Sequence, residues 1–520
     1  MPGWTRRQRS VIAHASDDTS IASLESGIIW RTTTAQVSTG TYRTFSSDNG
    51  YVTLRYRHRR FTLLLLCLFT VLYGKYVPSY THPPTRYTSL RQTVESDSSQ
   101  GGRATSLANK HAEKVFIAAV LYDGGGTLLS GRWGEHLLDL INIIGPEHVH
   151  LSIYENDPDP GAEMALYDFA TRVTCESTLV AEHLDVQDIS HVRTQDGTQS
   201  MDRIAFLAEV RNRALRPLRA NSSMNYATRF DKVLYLNDVY FDPIDAANLL
   251  FSTNVREATG RTDYRAVCAI DFKHPMVFYD TFATRDADRY EVGAAIFPWF
   301  SNAGSGRSRQ DVLSQSEIVR VKSCWSGMVA FEAKWFQPEQ DISGSRNSNM
   351  SGQTGLGFRY EQEDYWDASE CCLIHADLAA FSDNPSTRGE TGIYINPFVR
   401  VAYSRRALAW LPYVKFFERL LTPIQTLLTS VACLPRHNPR RLERLGETVT
   451  DEVWIWDDDP TNIRKAIQHQ DMRLADGLYK NITRTASSGG FCGHRKQSVI
   501  IQRSDGVEKG WASLEAPALA

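Results

Sequence analysis

Four short strand-forming runs, each stopping on a polar or acidic residue, constrain this chain more than any other feature. Val115–Leu121 runs into Tyr122-Asp-Gly-Gly-Gly126, His148–Tyr154 into Glu155-Asn-Asp-Pro-Asp-Pro-Gly161, Val233–Leu236 into Asn237-Asp238, and Ala266–Ile270 into Asp271. Runs of this length rich in β-formers read as buried strands. Between the first two, Trp133, Leu137, Leu140, Ile141 and Ile144 recur at helical spacing, and Gly145-Pro146 stops that helix. Two strands joined by a crossover helix form a βαβ unit with both strand ends on one edge of a parallel sheet. An α/β fold follows, with polar side chains at the edge where open sheets bind ligands.

Candidate site residues cluster at those ends. Asp238 is placed for a hard divalent cation such as Mg²⁺ or Mn²⁺ carrying a diphosphate, while the plain alternative is that Asn237 and Asp238 only form a turn. Glu155 and Asp157 can accept hydrogen bonds from a base or ribose, or serve as turn residues before proline. In the helix expected over Asp202–Leu215, Arg211 and Asn212 extend the apolar face, and an inward guanidinium needs either a core carboxylate or a ligand diphosphate. Trp325, beside Ser326 and Gly327, fits a sugar-stacking platform or a core position. Asp364, Asp367 and Glu370 crowd one short segment with His375, which can complete a metal site begun by Asp238 or be a satisfied core histidine. Gly124–Gly126 reads better as a plain turn than as a phosphate cradle. The loops at 301–316 and 339–357 are rich in Ser, Gly, Asn and Gln and are candidate lids.

The flanks carry different signals. Residues 1–54 lack periodicity and read as a disordered arm. Arg55, Arg57, Arg59 and Arg60 then precede the apolar run Phe61–Tyr73, which is shorter than the ~20 residues of a full span but is framed as a signal anchor over 55–77, with the N-terminus cytosolic. Residues 78–113 read as a stem, 114–404 as the catalytic domain, and 405–520 as a C-terminal helical extension and tail. Within the last, Ala407–Leu434 is apolar and helical, suited to a membrane surface or to packing on the main domain. Of eight cysteines none forms a C-x-x-C pair, which argues against structural zinc; Cys324, Cys371, Cys372 and Cys492 are available for disulfides of unassigned pairing. Sequons stand at Asn221, Asn349 and Asn481. A net charge of −3 over 520 residues gives no electrostatic reason for a nucleic-acid partner.

The ordered series Trp133-Gly-Glu-His-Leu-Leu-Asp139, Ser152-Ile-Tyr-Glu-Asn-Asp157, Leu207-Ala-Glu-Val-Arg-Asn212, Leu236-Asn-Asp-Val239, Phe278-Tyr-Asp280, Ser323-Cys-Trp325, Glu370-Cys-Cys-Leu-Ile-His-Ala-Asp377 and Asn396-Pro397 resembles the fungal capsule-associated mannosyltransferases. These are the cryptococcal α-1,3-mannosyltransferase family, glycosyltransferase family 69. The resemblance implies a GT-A-like Rossmann-type nucleotide-sugar domain preceded by a single transmembrane helix, in a type II Golgi membrane enzyme. It implies GDP-mannose as donor, a glycan as acceptor, Mn²⁺ or Mg²⁺ as cofactor, and retaining transfer in cell-surface glycan synthesis. On that basis Asp238 and His375 are the expected metal ligands. Tyr154, Glu155, Asp157, Arg211, Asn212, Asp271 and Trp325 are the expected donor contacts, and Asp364, Asp367 and Glu370 the catalytic candidates. Ser326 stands where the family leads one to expect Asn, and the Asp123-Gly-Gly-Gly126 loop is less polar than its usual counterpart. The same scaffold also suits a transferase using UDP-xylose or UDP-galactose, or a non-catalytic glycan-binding partner.

Overall fold

A computed structural model describes residues 77, 79–99, 106–194, 198–220, 229–337, 355–381, 391–456, 477–502 and 509–516, together with Phe61, Thr62, Leu64, Leu65 and Leu68. The expected arm 1–54 lies outside the described residues, as do most of the anchor 55–77, most of the loop 339–357 and the sequons at Asn221 and Asn349. Among the described residues no helix is long and apolar enough to cross a membrane.

In chain order the strands are β1 (Val115–Leu121), β2 (Val149–Asn156), β3 (Glu176–Glu182), β4 (His191–Arg193), β5 (Gln199–Asp202), β6 (Lys232–Leu236), β7 (Ala266–His274), β8 (Val277–Phe278) and β9 (Arg285–Asp286). They continue with β10 (Val319–Ser323), β11 (Met328–Glu332), β12 (Asp367–Ala368), β13 (Ile393–Ala402), β14 (Thr448–Trp456), β15 (Gly477–Thr485), β16 (Gly493–His494), β17 (Lys496–Gln502) and β18 (Lys509–Glu515). The main sheet has the order β3-β2-β1-β6-β11-β7-β13-β10-β9, with β8 paired to β7. Its first four strands are parallel neighbours. β11 is inserted antiparallel between β6 and β7, and β10 pairs antiparallel with β13, so the sheet is mixed rather than all parallel.

Central strands are largely apolar because both faces are covered. Phe116, Tyr235 and Cys268 face one core, and Ile117, Leu234 and Val267 the other. The helix Arg132–Ile144 buries Trp133, Leu137, Leu140, Ile141 and Ile144 as the spacing predicts, and Gly145, at φ 104°, donates its N–H to Ile141 O to close it. Asp202 caps the helix Arg203–Ala214 by accepting the N–H groups of Ile204 and Ala205.

Several boundaries differ from expectation. Asp271 lies inside β7, opposite Val401, rather than at the strand's end. The segment 301–316 holds the helix Arg307–Leu313, whose Ser308 hydroxyl accepts the N–H of Ala287. The expected stem contains the helix Thr85–Ser99, clamped to the domain by Arg91 reaching Asp242 and Asp245 at 3.0 and 2.8 Å. Just before it, Ser79 N–H donates to Lys415 O at 3.0 Å, and Tyr80 is buried against Phe398. The C-terminal region is not purely helical. Its helices Arg405–Val414 and Leu421–Val431 bury Ala407, Leu411, Val414 and Gln425 and leave Trp410, Tyr413, Leu427 and Val431 exposed. Beyond them the chain turns to strand: β17 joins β5 and β16 joins β12, which returns the C-terminus to the catalytic unit.

Two disulfides hold this arrangement. Cys324 pairs with Cys268, a cysteine outside the set anticipated from the sequence, and Cys372 pairs with Cys492, while Cys371 remains a buried thiol. The Gly489–Gly493 stretch also accepts the buried Arg285 guanidinium, through Phe491 O at 3.0 Å and Cys492 O at 2.8 Å.

Candidate active site

The carboxyl ends of β1, β2 and β6 bring Asp123, Glu155 and Asp238 together at one edge. Asp123 is buried and spends its oxygens on the N–H groups of Leu128 and Leu129, so it shapes the turn. Its own N–H donates to Glu155 Oε1 at 2.7 Å. Glu155 Oε2 is buried with no hydrogen-bond partner, and burial, reinforced by Asp123 and Asp159, pushes this carboxyl up to about 7. Asp238 is half-buried, and burial together with Asp123 raises its carboxyl against the opposing pull of its own N–H and of Arg211. These carboxyls gather at the carboxyl ends of the parallel strands β2, β1 and β6, where open sheets bind ligands, and the charge they carry when ionised is a surplus of negative charge there.

That surplus is the test of whether this edge fits a divalent cation. Asp238 supplies a hard oxygen whose charge the protein leaves undercompensated. Magnesium-type ions are commonly held by one or two carboxylates plus substrate phosphates. The residues therefore fit such an ion with Asp238 as the protein ligand. His375 does not join it. Its ring is fully buried against Phe331, Nδ1 bonds Cys371 O at 2.8 Å, and its metal-capable nitrogen groups with the sulfurs of the Cys268–Cys324 disulfide. Burial depresses it to about 4, the signature of a neutral core histidine. Disulfide sulfur is no thiolate ligand, so that cluster is not a metal centre.

Beside Asp238 lies a network built on Asn237. Its backbone carbonyl accepts Trp133 Nε1–H at 3.0 Å, and its side-chain oxygen accepts from Arg211 Nη1 and Trp325 Nε1, both at 3.2 Å. Arg211 finds a core carboxylate, Glu370, at 2.9 Å and lies 4.5 Å from the Trp325 ring centroid. Trp325 is buried with that face taken by the guanidinium, so it is not an open stacking platform there.

Trp325 and Glu370 line a cleft that opens to solvent, with Arg203, Tyr279, Asp280 and Phe282 on its other walls. Of the three acidic candidates, only Glu370 lines it. Asp367 is buried and accepts the Ser498 hydroxyl at 2.6 Å, and Asp364 accepts Trp456 Nε1–H at 2.8 Å from the hairpin of β14 and β15.

The remaining expected donor contacts divide. Asp157, at φ 50°, stays at the rim near His183, 3.4 Å away. Tyr154 points into the core and meets Arg213. Asn212 pins the backbone of Phe358 from both sides, at 2.8 and 3.0 Å, and so acts in packing. Asp271 is buried and accepts the N–H of Asp280 at 3.1 Å.

Asp280 carries no expected role but is central to the cleft. It accepts the N–H groups of Trp325 and Ser326 at 2.9 and 3.1 Å, the N–H of Ala283, and the Thr284 hydroxyl. Burial nonetheless raises its carboxyl. It holds Ser326 in the left-handed region at φ 54°, a conformation that Asn adopts more readily than Ser. Only its place in the Phe278-Tyr-Asp280 motif marked it in the sequence.

A family model described as cryptococcal mannosyltransferase 1 matches residues 114–377. A search of curated proteins finds no match. Among solved structures, the chain is similar to the mannosyltransferase PcManGT of Pyrobaculum calidifontis in complex with GDP-Man and Mn²⁺, at 13% identity and a TM-score of 0.30 over 64% of this chain and 67% of that one. It is also similar to mannosyl-3-phosphoglycerate synthase from Rubrobacter xylanophilus, at 12% identity and a TM-score of 0.28 over 74% of this chain and 91% of that one. A third is S. aureus TarS 1–349 in complex with UDP-GlcNAc, at 7% identity and a TM-score of 0.27 over 56% and 58%.

Proposed function

The chain belongs to the cryptococcal mannosyltransferase 1 family, and from that membership we propose that it transfers mannose from GDP-mannose to a hydroxyl of an acceptor glycan, in α-1,3 linkage and with retention, in fungal cell-surface glycan synthesis. The observation that carries the site assignment is the pairing of an undercompensated Asp238 with a neighbouring cleft walled by Trp325, Glu370 and Asp280. A GT-A-like arrangement is consistent with the mixed sheet, in which four parallel neighbours are followed by β11, inserted antiparallel between β6 and β7.

Asp238 would hold Mn²⁺ or Mg²⁺, which when bound supplies neutralisation of the charge on the departing diphosphate. The protein's own residues do the rest. Arg211 fixes the Glu370 side chain in a buried wall through the 2.9 Å contact, and a carboxylate held there would stabilise positive charge developing at the anomeric carbon. Asp280 fixes the Trp325–Ser326 turn that shapes the sugar's surroundings. A same-face displacement is the preferred route, since Glu370 is already committed to Arg211.

We further propose that the enzyme is a single-pass type II Golgi membrane protein with its catalytic domain lumenal. Two disulfides support an oxidising compartment, and the Arg-flanked apolar run supports the anchor.

The test is donor turnover by the purified full-length chain, offered GDP-mannose, UDP-xylose and UDP-galactose with and without Mn²⁺. Mannose transfer that Asp238→Asn lowers at least about 100-fold is the expected result. Preference for a UDP-sugar overturns the donor, undiminished turnover by Asp238→Asn overturns the metal assignment, and no turnover of any donor favours a glycan-binding role.

A further inference from the structure

Arg203 opens the helix that carries Arg211 at its other end, and with Leu207 the two arginines occupy positions four residues apart on one face. Their surroundings differ. Arg211 is paired to Glu370 and Asn237, whereas Arg203 is only 4% exposed and its Nε and Nη2 have no hydrogen-bond partner. Its guanidinium lies 5.0 Å from the Trp511 ring centroid, which covers a face but satisfies no N–H. A guanidinium cannot shed its charge by deprotonation, so a buried unpaired one is costly unless something supplies an anion.

The nearby carboxylates are committed elsewhere. Asp202 caps the helix with one oxygen and accepts Gln497 Nε2 with the other, Asp367 accepts Ser498, and Glu370 serves Arg211. Asp280, across the cleft, accepts four donors of its own. A second cation adds to the positive side: Lys496 Nζ lies 4.2 Å from the ring centroid of Phe282, a cleft-lining residue. The cleft lining includes Arg203 but not Asp238, Asp123 or Glu155, where a metal-bound donor diphosphate would sit.

We propose that this end of the cleft is an acceptor subsite selective for a glycan bearing an oxyanion, the carboxylate of a uronic acid or a phosphate monoester, which the Nε–Nη2 edge of Arg203 grips through two parallel hydrogen bonds. The fork of that edge matches a carboxylate or phosphate in geometry as well as charge. The inference rests on the mannosyltransferase reading above and adds the class of acceptor.

The experiment uses full-length enzyme with GDP-mannose and three acceptor probes: methyl mannoside, methyl galacturonoside and methyl mannoside 6-phosphate. The wild type is expected to favour at least one charged probe over the neutral one by about 10-fold to 100-fold in kcat/KM. The favoured charged probe distinguishes carboxylate from phosphate. Arg203→Gln should bring the charged-to-neutral ratio close to one, and Arg203→Lys, which keeps the charge but loses the fork, should restore only part of it. Equal loss on all probes with a raised KM for GDP-mannose would overturn the assignment, because the guanidinium would then serve the donor. A wild type indifferent to acceptor charge would overturn it too. If wild-type enzyme neither transfers nor hydrolyses GDP-mannose, the transferase reading fails, and saturation-transfer NMR with the same probes decides the subsite separately. Binding of a charged probe that Arg203→Gln abolishes supports it, and binding unaffected by the substitution does not.

Discussion

Arg211 and Glu370, 159 residues apart in sequence, meet at 2.9 Å beneath Trp325, and each is almost fully withdrawn from solvent. The pair joins the helix after β5 to the helix Glu370–Ala380, so it fixes the cleft's width as well as its charge. Removing one partner of such a pair strands the other. Arg211→Met is therefore expected to cost about 3–5 kcal/mol in urea unfolding, with Arg211→Met/Glu370→Leu closer to wild type than the single variant. Equal stability of single and double variants would mean that the two charges are not coupled.

Glycine 126 and glycine 124 make opposite predictions two residues apart. A Cβ on Gly126, at φ 71°, would lie 2.3 Å from Ala165 Cβ and 2.7 Å from Gly161 O, whereas one on Gly124 meets nothing within 4 Å. Gly126→Ala should lower stability by about 2 kcal/mol or more, from backbone strain and overpacking together. Gly124→Ala should be neutral within about 0.5 kcal/mol in the same thermal melts. The loop is thus a packing turn against the helix Pro160–Arg172, closed by Gly125 N–H donating to Asp159 at 2.8 Å.

Acid and base act on this fold in opposite directions through two buried groups. Glu155 titrates near 7 in the folded chain against an ordinary value of 4.5, so the folded state holds the extra proton and stability falls as pH rises between those values. His375, lowered from 6.5 to about 4, does the reverse: stability falls as pH drops through that window. Glu155→Gln should reduce the loss between pH 4.5 and 7 by the share of Glu155, leaving that of Asp202 and Asp286, whose carboxyls burial likewise pushes up to about 7, and the His375 limb in place. Unfolding free energies measured across pH 4–8 would show it, and an unchanged alkaline slope would exclude Glu155 as its source.

The Cys372–Cys492 disulfide closes a separation of 120 residues and pins the helix Glu370–Ala380 to the returning C-terminus. Cys372→Ser is expected to destabilise the chain by about 2–5 kcal/mol. Because Glu370 lies two residues away, the same variant should also lose transfer activity below its melting temperature. Activity retained in the folded variant would separate the disulfide from the cleft.

Most of the central sheet is legible in the sequence, and the reasons are local. β1 and β6 carry continuous apolar runs and β2 a run of β-formers broken by His150 and Ser152, all bounded by Gly, Asn and Asp, so both their existence and their polar ends can be read directly. The end of β7 is obscured because Asp271 lies within the strand, where the Asp280 N–H helps satisfy it. The helix Thr85–Ser99 is hidden for another reason: it has almost no apolar stripe and is held by Tyr87, Val94 and the ion pairs of Arg91. At the site, Asp238 and Arg211 could be named from strand-end position and helical spacing. Asp280 has no role legible in the sequence because it works by accepting N–H groups 45 and 46 residues away, a relation that exists only after folding. His375 misleads because its spacing from neighbouring acids resembles a ligand set while its ring turns toward Phe331.

The clamp at Ser79 and Tyr80 also limits reach. From Ser79 onward the chain is fastened to the catalytic unit, so only the stretch back to Tyr73 separates that unit from the apolar run, a span of at most about 20 Å when fully extended. On a bilayer anchored through that run, the enzyme would work as a surface scanner with a two-nanometre leash. Its reach would then be set by the dimensions of the catalytic unit and not by a long flexible stem.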